Sequence, residues 1–130
     1  MFQLNQIKPL TAPMGRTMIS AIFVMSGLNK ITNYAGTSGY MESMGVPAGV
    51  LPLVIFTEVV FGLMVILGWN TKLAAFALAG FSIISAFLFH NNFADQNEMA
   101  NFMKNIAIAG GFFFLVAHGA GAYALDNRKA

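Results

Sequence analysis

Glu58 is the residue whose type and position most call for an explanation. It interrupts an otherwise apolar run over 48–69, about ten residues from either end. At 1.5 Å per residue that depth is roughly 15 Å, near the middle of a bilayer if the run is a spanning helix. A charge there costs about 3 kcal/mol on insertion scales. Such a carboxylate either handles a proton or contacts a bound ligand, or it is a protonated group, its affinity for the proton raised by desolvation, hydrogen-bonded across a bundle. His90 ends a second apolar run and is followed by Asn91 and Asn92. Imidazole titrates near neutrality, which suits proton transfer as well as an ordinary hydrogen bond. Lys30, preceded by Ser26 and Asn29, closes the first run, while Lys104 and Asn105 open the last. Lys30 either contacts headgroups or turns towards Glu58 and His90. Arg16 enters the first run, and its long side chain can snorkel to the interface. His118, among small residues near the other membrane face, suits an interfacial role.

These groups need elements to position them, and composition says which kind. Hydrophobic residues make up 57% of the 130 and charged residues 9%, against about 25% charged in a soluble domain. Four apolar segments, over 14–31, 48–69, 72–90 and 104–123, each approach the roughly 20 residues that a spanning helix needs. They lack strand-like alternation, and lipid admits only helices or closed barrels. The fold expected is therefore all-α, an integral membrane four-helix up-and-down bundle forming one domain over 1–130. Short interfacial helices are expected over 37–44 and 96–103, the second opened by Asp95 as N-cap with Glu98 reaching back as a capping box, and running through Met99 and Phe102 into the fourth segment. The link Gly68-Trp69-Asn70-Thr71 is short enough to make its flanking helices antiparallel neighbours.

Small residues should mark the packed faces, since helices in lipid associate by close approach. Ala75, Ala79, Ser82 and Ala86 lead to His90 on one face of the third helix. Arg16, Ser20, Phe23, Gly27 and Lys30 form a similar stripe on the first. Ala107, Gly110, Gly111, Ala117 and Gly121 are the corresponding expectation for the fourth. Lys8, Arg16, Lys72, Arg128 and Lys129 share one side, against Lys30 and Lys104 on the other, so both termini are expected in the cytoplasm.

Several classes of function are disfavoured. The net charge is +2 and the basic residues are scattered, which does not suit nucleic acid. There is no cysteine, hence no disulfide, thiolate metal site or thiol chemistry. No phosphate loop, nucleophile elbow or metal-ligand pair is present, and no metal is expected. The nine methionines are dispersed and read as packing.

Taken together, Arg16, Ser26-Gly27-Leu28-Asn29-Lys30, Gly45-Val46-Pro47, Glu58 with Gly62, and Trp69-Asn70-Thr71-Lys72 resemble the DoxX family in order and spacing. Phe89-His90-Asn91, Phe102-Met103-Lys104-Asn105, Gly110-Gly111 and Tyr123-Ala124-Leu125-Asp126 extend the resemblance over about 14–126. The resemblance implies a four-helix protein of the bacterial inner membrane, related to small subunits of thiosulfate:quinone oxidoreductase. It carries a quinone as the expected ligand and redox subunits, soluble or membrane-bound, or further copies of the chain as expected partners, with no intrinsic cofactor. If the chain takes part in catalysis, the resemblance makes it a subunit of a quinone-linked oxidoreductase rather than a stand-alone enzyme. On this reading Lys30, Glu58, His90 and Asn105 line an outward-opening pocket, with Ser26, Asn29, Lys104 and Arg16 as further ligand- or proton-handling candidates. A non-catalytic membrane scaffold is the alternative, and a small transporter or proton path a third; no Gly/Pro-broken helix pair of the transporter type is present.

Overall fold

The computed structural model describes residues 4–127, with side chains from residue 9 onward. Five helices follow one another: α1 (Leu4–Thr32), α2 (Tyr34–Ser43), α3 (Ala48–Leu67), α4 (Thr71–Phe89) and α5 (Gln96–His118). No strand occurs among the described residues. Helices α3, α4 and α5 are long and apolar enough to cross a membrane. Helix α1, at 29 residues, is longer than any of them but carries Arg16, Asn29 and Lys30. It packs along the whole of α3, so it occupies the same slab and forms the fourth rod of the bundle.

Two of these boundaries depart from the sequence reading. Helix α1 begins at Leu4 rather than at residue 14, passing through Pro9 and Pro13. Proline holds φ near its helical value and removes one backbone bond, which a helix supported on both sides survives. Residues 96–103 run into the last helix as expected, so α5 is continuous from Gln96, but it ends at His118, short of residue 123. Asp95 does cap it, Oδ1 accepting from the Asn97 N–H at 2.9 Å. Glu98 does not reach back; it turns to His90 instead.

Helix α3 is not uniform. It opens with a tight turn, Ala48–Val50, after Pro47, places Pro52 in its first α-helical turn, and widens to a π-helical turn over Thr57–Phe61. Above that turn, Leu51–Phe56 packs on α1; from Thr57 onward the helix packs on both α1 and α4. Such wide turns inside helices are frequent at functional sites, and Glu58 lies in this one.

The core lies between α1, α3, α4 and α5, around Phe23, Met64, Val65, Ala75, Leu78, Ala79, Ala109 and Phe112. The Phe23 and Phe112 rings lie 5.6 Å apart and tilted. The small-residue face of α4 is buried as expected, with Ala75, Ala79, Ser82 and Ala86 all closed off. So is that of α1, where Arg16, Ser20, Phe23 and Gly27 face inward. On the fourth segment the expectation holds in part: a Cβ on Gly111 would come within 2.6 Å of Ile19, and one on Gly121, beyond the end of α5, within 2.5 Å of Ala12, both in α1, whereas Ala107, Gly110 and Ala117 are exposed and Ala109 and Phe112 are buried. In α5 a large side chain joins the small ones at the core, Phe112 filling the space beside Phe23.

The segment after His118 folds back across the end of the bundle where α1 begins and α5 finishes. Arg16 is 2% exposed and donates through Nη2 to the carbonyls of Tyr123 and Ala122 at 2.8 and 3.2 Å. That placement replaces the snorkelling expected of it: the backbone carbonyls of the folded-back segment supply the polar partners that headgroups would otherwise supply. Asp126 accepts from the N–H groups of Asn70 and Thr71, at the start of α4, and its own N–H donates to Gly68 O. Gly68 has φ of +71°, and a Cβ there would collide with Arg16 and Ala124, so only glycine serves. Arg128, Lys129 and the side chain of Lys8, counted in the charge asymmetry above, lie outside the described residues.

Candidate ligand cavity

At the opposite end, α1 and α3 cross closely enough that a Cβ on Gly27 would come within 2.5 Å of Val59 Cγ2 and 3.2 Å of Glu58 Cβ. Gly62 makes the reciprocal approach to Val24. This contact brings the last turn of α1 against the π-helical turn of α3. Lys30 Nζ thereby stands 2.8 Å from Glu58 Oε1 and donates to Ser26 Oγ at 2.6 Å. Glu58 is 3% exposed, so the pair replaces water around the carboxylate with an ammonium and, through it, a hydroxyl. Breaking a buried pair of this kind costs about 3–5 kcal/mol because it strands the remaining charge.

The pair borders a cavity of about 450 Å³, within the range typical of small-molecule sites. Ser26, Lys30, Glu58, His90, Lys104 and Asn105 all line it. These six candidates, drawn from α1, α3, the end of α4 and α5, are brought together by the fold. Asn29 is exposed and does not line it, and Arg16 belongs to the other end of the molecule. His90 Nδ1 lies 3.1 Å from Glu98 Oε2, which ties the end of α4 to the first turn of α5. Helix α2 lies over the cavity: Thr37, Tyr40 and Met41 line it, Met41 is buried, and the Tyr40 ring stacks on Phe89 at 5.6 Å. The remaining walls are largely apolar, including Phe23, Val54, Phe81 and Ile108.

Ser82 is a functional candidate that the sequence reading placed only in a packing stripe. Its Oγ is buried, has no hydrogen-bond partner, and belongs to a residue that lines the cavity. Leaving such a hydroxyl unpaired costs about 1–3 kcal/mol. Only its neighbours in space distinguish it from a packing serine. Glu98 has capping-box spacing in the sequence, and its pairing with His90 depends on the angle between α4 and α5. His118 is exposed and stacks on Phe114, away from the cavity. Among the described residues, no group of three or more His, Asp or Glu is placed to hold a metal ion.

Comparison with known proteins agrees with this architecture. The DoxX family model matches residues 12–91, which span most of α1 and all of α2, α3 and α4. The chain is 43% identical over 129 residues to the inner membrane protein YqjF of Escherichia coli (strain K12), covering 97% of this chain and 99% of that one. It is 31% identical over 134 residues to the inner membrane protein YphA of the same organism, covering 98% of this chain and 96% of that one. No solved structure matches. A family match over well over half the chain, and two relatives aligned almost end to end, place this chain in the DoxX family as a multi-pass inner-membrane protein.

Proposed function

We propose that the cavity binds a small molecule of quinone-like chemistry, and that the chain serves a membrane redox system as an accessory, ligand-holding subunit. The observation that carries this reading is a largely apolar cavity lined by the Lys30–Glu58 pair and by Ser82, whose buried hydroxyl has no hydrogen-bond partner. A quinone presents two carbonyl acceptors on a flat apolar ring. Ser82 Oγ, Lys30 Nζ and the Asn105 amide are donors suited to those acceptors. Phe81, Phe89 and Tyr40 supply walls for the ring. The bound molecule would bring the redox chemistry. The chain's own residues would orient it and hold protons, Glu58 and Lys30 near the bundle interior and His90 towards the surface. Partner subunits of the redox system, or further copies of the chain, would supply the electron path. Both termini are assigned to the cytoplasm, which puts the cavity in the outer half of the membrane.

Titration of purified, detergent-solubilised protein with a short-chain benzoquinone tests the reading. Saturable binding is expected, weakened at least tenfold by Glu58→Gln. Absence of saturable binding overturns it.

One observation favours a second reading, a scaffold that holds partner proteins. Lys30–Glu58 is also the polar tie between α1 and α3. If that is its whole role, Glu58→Gln lowers the amount of folded protein and the recovery of a stoichiometric partner, and leaves no ligand affinity to change.

A further inference from the structure

The cavity has a side opening as well as a polar end. Leu51–Phe56 of α3 packs on α1 but diverges from α4, and the two helices close together only from the π-helical turn onward. Leu53 of α3 and Ile84 and Leu88 of α4 line the cavity and are also 65%, 60% and 44% exposed on the outer surface of the bundle. In a membrane protein that surface is the one lipid tails touch. A side chain that lines a cavity and is open to lipid stands at a mouth facing lipid. The polar groups are set back from that mouth: Glu58 is buried, its partner Lys30 has a side chain 24% exposed, and Ser82 is 1% exposed. The opening is apolar and the depth is polar, which suits a molecule with one polar end and one chain.

We propose that the ligand enters sideways from the bilayer, between Leu53 and the Ile84–Leu88 edge, and is a tailed amphiphile. Its polar head reaches Lys30 and Ser82, and its chain stays in the gap and the surrounding lipid. This rests on the binding role proposed above and adds the route and the class of ligand.

Two ligands sharing one ring test it: a benzoquinone with a decyl chain, and the same ring carrying only a methyl. Binding to the protein in lipid nanodiscs is measured by stopped flow and at equilibrium, with affinities corrected for partition into lipid. In the wild type the decyl compound is expected to bind at least tenfold more tightly. Leu53→Trp with Ile84→Trp, placed on exposed positions, should slow its arrival at least tenfold and leave the affinity for the methyl compound within twofold. Ile22 of α1 also lines the cavity and is 46% exposed, so Ile22→Trp probes entry from that side, and the arrival rate should stay within twofold. Equal corrected affinities in the wild type, or an arrival rate untouched by the paired tryptophans but slowed by Ile22→Trp, would overturn the side entry while leaving the binding role standing. Failure of both compounds to bind removes both proposals. Leu53→Phe with Ile84→Phe, a smaller obstruction, should give an intermediate rate; no slowing there in a well-folded protein, together with none for tryptophan, is decisive against the mouth.

Discussion

Glu58 illustrates how a residue with an unfavourable solvation energy is retained. Its carboxylate is matched by one ammonium at 2.8 Å, and that ammonium by one hydroxyl at 2.6 Å. Removing the ammonium leaves a buried charge without its partner. Lys30→Met should therefore lower stability by about 3–5 kcal/mol, measured by detergent unfolding, and Lys30→Met with Glu58→Gln should recover much of that loss. Recovery would show that the cost lies in the stranded charge; none would mean that Lys30 acts through its packing. Ser82 makes the opposite prediction. Its hydroxyl has no partner to lose, so Ser82→Ala should leave stability unchanged or slightly raised and reduce ligand affinity by about 1 kcal/mol, the worth of one hydrogen bond. A titration with a short-chain benzoquinone beside an unfolding curve reads both.

At the scale of elements, the π-helical turn and the folded-back C-terminal segment decide where chemistry sits. A π turn accommodates one residue more than an α turn over the same rise. Deleting Val60 should return the turn to regular α-helix, keep the flanking segments of α3 in register and move the Glu58 side chain relative to Lys30. The expected result is a folded helical protein by circular dichroism with ligand binding lost; unchanged binding would show that the wide turn has no positioning role. The folded-back segment depends on Asp126. Burial alone would raise the affinity of its carboxyl for a proton. The Thr71 side chain and N–H, the Asn70 N–H and the Arg16 charge outweigh this and hold it below its ordinary 3.8. A carboxyl with a lowered folded-state value stabilises fully above the ordinary value and loses that contribution as pH falls through the lowered one. Thermal stability should thus drop below about pH 4 more steeply in the wild type than in Asp126→Asn, which already lacks the charge. Parallel melting curves for the two would refute the linkage.

For the whole molecule, the two ends differ in design. The end where α1 begins and α5 finishes is closed by Arg16, Asp126 and the backbone of Ala122 and Tyr123, and the other is open around a cavity. A closed end argues against a continuous path across the bundle and for a site reached from one side. The proposed orientation is open to direct measurement because the chain has no cysteine. Single cysteines at Asn92 and at Trp69, tested in spheroplasts with a membrane-impermeant maleimide, should label at Asn92 only. Labelling at Trp69 alone would invert the orientation and place the cavity in the cytoplasmic half.

Residue order by itself determined that the chain is helical, that it lives in lipid, and which faces of α1 and α4 turn inward. Those properties follow from segment length, hydropathy and the spacing of small residues, all of which act locally. It also singled out Lys30, Glu58, His90 and Asn105, because a polar group at membrane depth is costly wherever its partners lie. The tertiary structure alone decided the pairings. Glu98 joins His90 rather than its own N-cap, Arg16 is enclosed by a segment more than a hundred residues away, and α5 turns Ala109 and Phe112 to the core while Ala107 and Gly110 face outward. Each of these turns on the relative angle and register of separate helices. In lipid that geometry is set by shape complementarity between side chains far apart in the chain, which no local pattern encodes.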